Sequence, residues 1–355
     1  MPARSSPLRT WLQDMPKAEL HLHLDGSLRP ATALELARER RLDDTPSDVE
    51  AMRRRLVAPR RCADQAELLE AFDLPVALLQ DATALARASA EMIEDVAGDG
   101  TVYVEVRWAP SLHRQEGLSL AEGIAAVVEA GTEAAAARGI HVRFIAVALR
   151  THAPAVATQV ARAALEFRDA GLTGFDIAGV ERDAPDPRVF SEAVAVARAG
   201  GLGISCHAGE WGGSAQVWQA LQIEPWRIAH GAPAADDPAL MQELAERDVT
   251  LDLCPTSNLQ IGVGSDDEGA PLPRLLRFGV PVTINTDDRT VSDLTLVREL
   301  EGAVEWLGLS ASEVAHAMRR AYAAAFLQHD EELRAELQHG FESWLAEHPA
   351  PARPG

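Results

Sequence analysis

From residue 101 onward the sequence repeats one order, a short β-branched run followed by a longer helical stretch. Runs at 101–108, 141–149, 174–178, 202–207, 227–230, 249–253 and 281–285 predict strands, and helices are expected over 118–138, 153–170, 187–199, about 212–222, 238–247 and 271–278. Parallel strands cannot be joined by a tight hairpin and need a crossover, usually a helix. Strands that are each followed by helical text therefore predict a parallel α/β architecture. An earlier run at 21–25 brings the total to about eight. Eight evenly spaced units in 355 residues predict a closed (β/α)8 TIM barrel rather than an open doubly wound sheet. No Gly-x-Gly-x-x-Gly follows the first strand, which weighs against a dinucleotide fold.

A single barrel domain over 1–347 is expected, with extra helices after the first strand and at the C-terminus. Residues 1–14 read as a loose arm and a short helix, and Pro30 opens a helix running to about Arg41. The segment 44–80 reads as helical in pieces, interrupted at Pro46, Pro59 and Pro75. It holds no strand candidate, so it reads as an insertion placed to cover the pocket mouth above the first strand. A long helix over 81–97 is stopped by Gly98 and Gly100, the stretch 291–347 is helical, and 348–355 is expected to be a flexible tail.

Charge narrows the partners. There are 33 Lys and Arg against 54 Asp and Glu, a formal net charge of −21, which counts against nucleic acid or an anionic membrane surface. Three cysteines without paired spacing fit a reducing compartment, and no apolar run is long enough to span a bilayer. With no signal-peptide pattern at the N-terminus, the expected location is cytoplasmic. The sequence sets no oligomeric state.

In a barrel of this kind, the C-terminal ends of the strands carry the chemistry. The first strand reads Leu20-His21-Leu22-His23-Leu24-Asp25-Gly26. Alternate residues of a strand share a face, so His21 and His23 point one way and the leucines the other, and Asp25 continues the polar face. Two imidazoles one strand repeat apart can reach one divalent metal, although His-x-His alone equally describes an edge strand with half-exposed histidines. The other chemically notable strand ends carry Gly179, His207 with Glu210, His230 with Gly231, and Asp287 with Asp288. Singly each has a bland explanation. His207 could be a core histidine, Asp287 a helix N-cap, His230 a strand cap and Glu210 a solvated carboxylate. Ligand or acid–base residues at four of the five ends point instead to one metal-dependent site.

These residues carry a resemblance. Pro16-Lys17-Ala18-Glu19-Leu20-His21-Leu22-His23-Leu24-Asp25-Gly26, His207-Ala208-Gly209-Glu210, Ala229-His230-Gly231, Cys254-Pro255-Thr256-Ser257-Asn258 and Asn285-Thr286-Asp287-Asp288 resemble the adenosine deaminase family of metal-dependent hydrolases. So do Phe72-Asp73-Leu74-Pro75 and Val104-Glu105-Val106-Arg107-Trp108-Ala109-Pro110. The similarity runs from about residue 16 to residue 330 in the family's order. Departures are few: Ala229 stands where many members have glycine, and Asp288 where some bacterial members have asparagine.

The resemblance implies hydrolytic deamination of adenosine and 2′-deoxyadenosine, with one zinc per chain held by His21, His23, His207 and Asp287. A bound zinc lowers the pKa of its water to about 7, which provides a nucleophile at neutral pH. His230 is expected to help deprotonate that water. Glu210 is expected to protonate purine N1, which requires a raised pKa. Asp288 is assigned to N7, the Gly179 backbone N–H to N3, and Asp25 with His23 to a ribose hydroxyl. Cys254 has no neighbouring base and reads as packing. Trp211-Gly212-Gly213-Ser214 lacks the lysine of a phosphate loop and reads as a helix entry. The alternatives are an adenine deaminase, a deaminase of a 5′-modified adenosine such as aminodeoxyfutalosine, and a non-catalytic zinc-binding protein. Glu210 and His230, which holding a metal does not need, speak against the last.

Overall fold

The computed structural model describes residues 6–181, 185–263 and 270–351. Helix α1 (Pro7–Asp14) precedes β1 (Lys17–His23), and four helices follow that strand: α2 (Pro30–Glu39), α3 (Val49–Leu56), α4 (Gln65–Leu78) and α5 (Ala82–Gly98). The units then alternate as β2 (Thr101–Trp108), α6 (Leu120–Arg138), β3 (His141–Leu149), α7 (Pro154–Leu165), β4 (Leu172–Ala178) and α8 (Ser191–Ala199). Next come β5 (Gly203–Ala208), α9 (Ser214–Ala220), β6 (Arg227–His230), α10 (Pro238–Glu246) and β7 (Thr250–Leu253). Two helices, α11 (Pro255–Gln260) and α12 (Pro271–Phe278), lead to β8 (Val282–Ile284). Helices α13 (Leu296–Glu305), α14 (Ala311–Ala324) and α15 (Glu331–Glu347) end the fold. No helix among the described residues is long and apolar enough to cross a membrane.

The eight strands lie in sequence order, and the neighbours from β1 to β8 pair in parallel, as a (β/α)8 barrel requires. The ring closes through a parallel bridge between Leu22 and Asp287. There His23 N donates to Asp287 O at 2.8 Å, and Asp287 N donates to His21 O at 3.1 Å. The backbone bonds that shut the barrel thus fix the residues singled out for their chemistry.

Several expectations need correction. The first strand starts at Lys17 and stops at His23, so Asp25 lies in a 3-10 turn, Asp25–Ser27, and does not extend the strand face. Lys17 and Glu19 disguise the strand's start because both charged side chains are buried. Lys17 Nζ donates to the carbonyls of Leu12 and Met15, and Glu19 accepts from Thr286. Pro75 does not interrupt the insertion but sits inside α4. A proline there costs about 3 kcal/mol, which the burial of the α4 face carrying Leu68, Ala71, Pro75 and Leu78 helps to offset. The helix expected over 153–170 ends at Leu165, and a 3-10 turn at Arg168–Ala170 leads into Gly171, whose φ of 106° turns the chain into β4. Of the expected arm and tail, residues 1–5 and 352–355 lie outside the described residues.

Barrel interiors are commonly filled by branched apolar side chains. This one is charged. Glu105 and Arg107 on β2, Asp176 on β4, Arg227 on β6 and Asp252 on β7 are all buried. Arg227 pairs with Glu105 and, at 2.9 Å, with Asp252; Arg107 pairs with Asp176 at 2.9 Å and donates to Leu20 O at 2.8 Å. A buried charge is tolerated only when paired. The Arg107 pair lies directly beneath the site and sets the electrostatics on which its histidines rest.

Candidate active site

Three imidazoles and one carboxylate converge where the barrel closes. His21 Nε2 lies 3.3 Å from His23 Nε2, which lies 3.2 Å from His207 Nε2. Asp287 Oδ1 is 3.0 Å from His21 Nε2 and 3.4 Å from His23 Nε2. Burial drives both β1 histidines toward the neutral form, His21 well below its ordinary value and His23 down to about 3. Two neutral imidazole nitrogens facing each other can share only one proton, so lone pairs are left aimed at a common centre. A divalent cation resolves that arrangement, and three His with one Asp is a donor set suited to zinc. The residues fit the metal. His21, His207, His230 and Asp287 also keep their ligand atoms within 4.8 Å of one another, which puts His230 at the rim of the same centre.

The buried charges fix this geometry. Asp176 Oδ2 lies 2.8 Å from His207 Nδ1, an arrangement that keeps a proton on Nδ1 and turns the Nε2 lone pair to the centre. Burial opposes ionisation of Asp176, but His207 and Arg107 outweigh it and hold the carboxyl well below the usual range. Asp287 follows the same balance, with His21 and His230 outweighing its burial. Asn285 Oδ1 accepts from Leu20 N at 2.8 Å and His21 N at 3.2 Å, and Thr286 N donates to Glu19 at 3.0 Å. These three bonds tie the β8 turn to β1.

Around the centre lie the remaining candidates. His230 Nε2 is 3.5 Å from Glu210 Oε1 and 3.7 Å from Asp287 Oδ2, and its Nδ1 is 3.3 Å from Asn258 Oδ1. His230 and Asp287 both take left-handed backbone, φ 66° and 63°. Such strain costs about 1–3 kcal/mol and gathers at functional sites. The twist also brings His230 inward, which strict strand alternation from Arg227 would not do. One cavity is lined by His23, Asp25, Gly179, His207, Glu210, Asp287 and Asp288. Its opposite wall is apolar, with Leu68, Phe72 and Val76 from α4 facing Val147 and Leu149 of β3. No Lys or Arg lines it among the described residues. Gly179 has φ 94°, a conformation that excludes most side chains, while the nearest atom to an added Cβ is Leu149 Cδ2 at an ordinary 3.4 Å. Glycine is therefore needed there for its backbone.

The carboxyl groups are unequal. Burial raises Glu210 to about 8; His207 partly offsets this, and Glu181 and Asp287 add to it. Burial and then the neighbouring Asp287, Asp25 and Glu210 push Asp288 well above the usual range, and burial lifts Asp25 to about 6. Burial thus favours the neutral forms of Glu210 and Asp288 while the surrounding histidines favour the ionised form of Asp287, an arrangement suited to placing proton donors next to a cation-binding carboxylate.

The structure brings the candidate site residues together: His23, Asp25, Gly179, His207, Glu210, Asp287 and Asp288 line the cavity, and His21 and His230 stand with His207 and Asp287 at its base. Reading the sequence did not single out Asp176, Arg107 or the contact of Asn258 with His230. For Asp176 a signal existed, since a lone acid within the wholly buried β4 must have a partner. Burial holds the Cys254 thiol well above its ordinary range, which agrees with a packing role, and α9 does begin at Ser214.

Comparison with known proteins agrees with this site. The sequence profile of the family described as adenosine deaminase matches residues 16–340. An adenosine deaminase of Enterococcus faecalis is 37% identical over 320 residues, spanning 90% of this chain and 94% of its own length. The crystal structure of an adenine deaminase from Arthrobacter aurescens superposes with a TM-score of 0.85 at 26% identity, covering 94% of this chain and 99% of that one. An Arabidopsis N6-methyl-AMP deaminase superposes with a TM-score of 0.82 at 28% identity, covering 94% and 99%. With its barrel, its His and Asp cluster and this similarity over nearly its whole length, the chain is a hydrolase that belongs to the adenosine deaminase family.

Proposed function

We propose that this enzyme hydrolyses adenosine and 2′-deoxyadenosine to inosine and 2′-deoxyinosine with release of ammonia. The observation that carries the reading is Glu210 set 3.5 Å from His230 at the edge of the ligand cluster, where burial pushes its carboxyl up to about 8. His21, His23, His207 and Asp287 would hold one zinc. When bound, zinc supplies a water acidified to near neutrality as the nucleophile. His230, oriented by Asn258, and Asp287 accept hydrogen bonds or protons from the attacking water. Addition at C6 of the purine moves an electron pair onto N1, and Glu210 delivers its proton there. The proton taken from the water by His230 or Asp287 passes to the amino group, which leaves as ammonia, while the C6 hydroxyl returns a proton to the Glu210 carboxylate and C6 becomes a carbonyl. Protonated Asp288 donates to N7, and the Gly179 N–H donates to N3. Asp25 and His23 meet a ribose hydroxyl. Three free cysteines fit a reducing, cytoplasmic setting.

An unphosphorylated nucleoside fits the cavity better than a nucleotide, because no Lys or Arg among its described lining residues is placed to meet a 5′-phosphate. Free adenine would leave Asp25, which is 6% exposed, facing an empty sugar site. An unmet buried polar group costs about 1–3 kcal/mol, and the sugar's binding energy is lost from the transition state. The test is kcat/KM for adenosine, AMP and adenine, in wild type and in Asp25→Ala. Adenosine should lead, and Asp25→Ala should shrink its advantage over adenine about tenfold or more. Adenine as the better wild-type substrate, or an unchanged ratio, removes the nucleoside reading. AMP in the lead would do the same.

A second prediction concerns Gly26. A Cβ there would lie 1.7 Å from Asp288 Oδ1, so alanine must displace that carboxyl from the cavity. Gly26→Ala should lower kcat/KM at least about tenfold, as misplacement of a positioning group does. Overpacking should also lower stability by about 1–3 kcal/mol. Steady-state kinetics and thermal melts check both, and unchanged kcat/KM would mean that Asp288 does not touch the base.

A further inference from the structure

The turn that carries Glu210 has little of its own to hold it. Its sequence, Ala208-Gly209-Glu210-Trp211-Gly212-Gly213, places glycines on both sides of the acid, and Gly209 has φ 84°. Such a segment loses more conformational freedom on ordering than any other composition. Yet Glu210 must stand within proton-transfer reach of a ring held elsewhere in the cavity, and its own carboxyl faces the cavity and His230 Nε2, 3.5 Å away, rather than the turn.

What holds the turn comes from neighbouring strands. Arg150, at the end of β3, donates through Nη2 to the carbonyl of His207 at 2.5 Å. From the loop after β4, Glu181 accepts three backbone N–H groups: Gly209 at 2.6 Å on Oε1, and Trp211 and Gly212 at 2.6 and 2.7 Å on Oε2. These amides bracket Glu210 on both sides. Glu181 is 1% exposed, and its own N–H donates at 3.1 Å to Oε1 of Gln65, the first residue of α4 and part of the cavity wall. Both carboxylate oxygens are thus engaged by one short segment, with charge-assisted bonds that are about twice as strong as neutral ones. A carboxylate buried merely for packing would have no need to straddle the acid in this way.

We propose that Glu181 is a positioning residue, holding the Gly209–Gly212 turn so that Glu210 meets the reacting edge of the substrate. The proposal rests on the reading of Glu210 as the proton donor. Glu181 touches no reacting atom and acts only through the turn. Its loss therefore slows the chemical step while substrate binding, which depends on Asp25, Gly179, Asp288 and the apolar wall, and metal binding persist, because His21, His23 and Asp287 lie on other elements and His207, though it precedes the turn, is held by Arg150 and Asp176.

The test compares Glu181→Ala, Glu181→Gln and Glu210→Gln as zinc-loaded full chains. Glu181→Ala should lower kcat for adenosine about a hundredfold with full zinc and KM within about threefold of wild type, the split expected when a transition-state interaction alone is lost. Gln keeps one acceptor oxygen and should recover part of the loss, to about tenfold below wild type. Hydrogen exchange at the amides of Gly209, Trp211 and Gly212 should quicken at least about tenfold in Glu181→Ala, and that of the β8 turn should not change. A kcat within about twofold of wild type in Glu181→Ala, while Glu210→Gln is severely impaired, overturns the positioning role. So does a loss explained by missing zinc or by KM alone. Should the Ala variant fail to fold, the isosteric Gln variant decides by the same criterion. Wild-type turnover by Glu210→Gln is a different failure: it removes Glu210 as proton donor, and the role of Glu181 with it.

Discussion

Glu210→Gln should lower kcat for adenosine at least about a hundredfold while zinc content and KM stay near the wild-type values, the usual size of a general acid's contribution. Gln is isosteric and can still hydrogen-bond to N1, so binding is kept, but it has no proton to give. The wild-type carboxyl is suited to donate because burial holds its proton up to about pH 8. A cation seated on His21, His23, His207 and Asp287 draws that value back toward neutrality. The sign of the pH dependence follows. Wild-type kcat falls as pH rises through the Glu210 value, because the donor is lost, and the Gln variant lacks that limb. Steady-state kinetics across pH with metal analysis on the same samples checks both parts. Wild-type-like turnover in the variant would mean that another group protonates N1.

The alternation from residue 101 makes the barrel legible because each βα unit is local: the run, the helix and the glycine that separates them lie close in sequence. The ligand set is legible for a related reason. In this fold the strand ends share one mouth, so a His or Asp at a strand end has its place fixed by topology. What holds those ligands is not local. Arg107 and Asp176 pair at 2.9 Å across 69 positions, and Arg227 and Glu105 across 122. No periodicity links such partners, and in sequence they read as polar interruptions of apolar strands. Lys17 and Glu19 mislead in the same way, since a charged residue normally marks a solvent face. Strict alternation misplaces Asp25, because the strand stops at His23 and a 3-10 turn carries the carboxyl into the cavity. His230 reaches the centre through a left-handed φ of 66°, a backbone choice its side chain does not announce. Glu181 leaves no mark in the sequence because its partners are amides, which nearly every residue has.

The largest loss is expected from His207→Ala, which should abolish zinc binding and reduce turnover by more than the Glu210 substitution does. His207 Nε2 lies 3.2 Å from His23 Nε2, and Asp176 beneath it presets the tautomer that binds a cation. Alanine removes both the donor and the group that Asp176 orients. The fold should persist: Asp176 keeps Arg107 at 2.9 Å, so no buried carboxylate is left without a partner, and β5 keeps its ladder to β6. The loss is therefore one of metal and activity, and it can be separated from unfolding by linkage. A ligand that binds only the folded chain stabilises it by about 4 kcal/mol at a thousandfold excess over Kd. Chelation should accordingly lower the wild-type melting temperature, and the same chelator should leave His207→Ala unchanged. Metal analysis should find close to one zinc per wild-type chain and almost none in the variant. Full occupancy in His207→Ala, or an undiminished chelator shift, would take His207 out of the ligand set and leave His230, whose ligand atom lies in the same 4.8 Å group, as the residue to replace it.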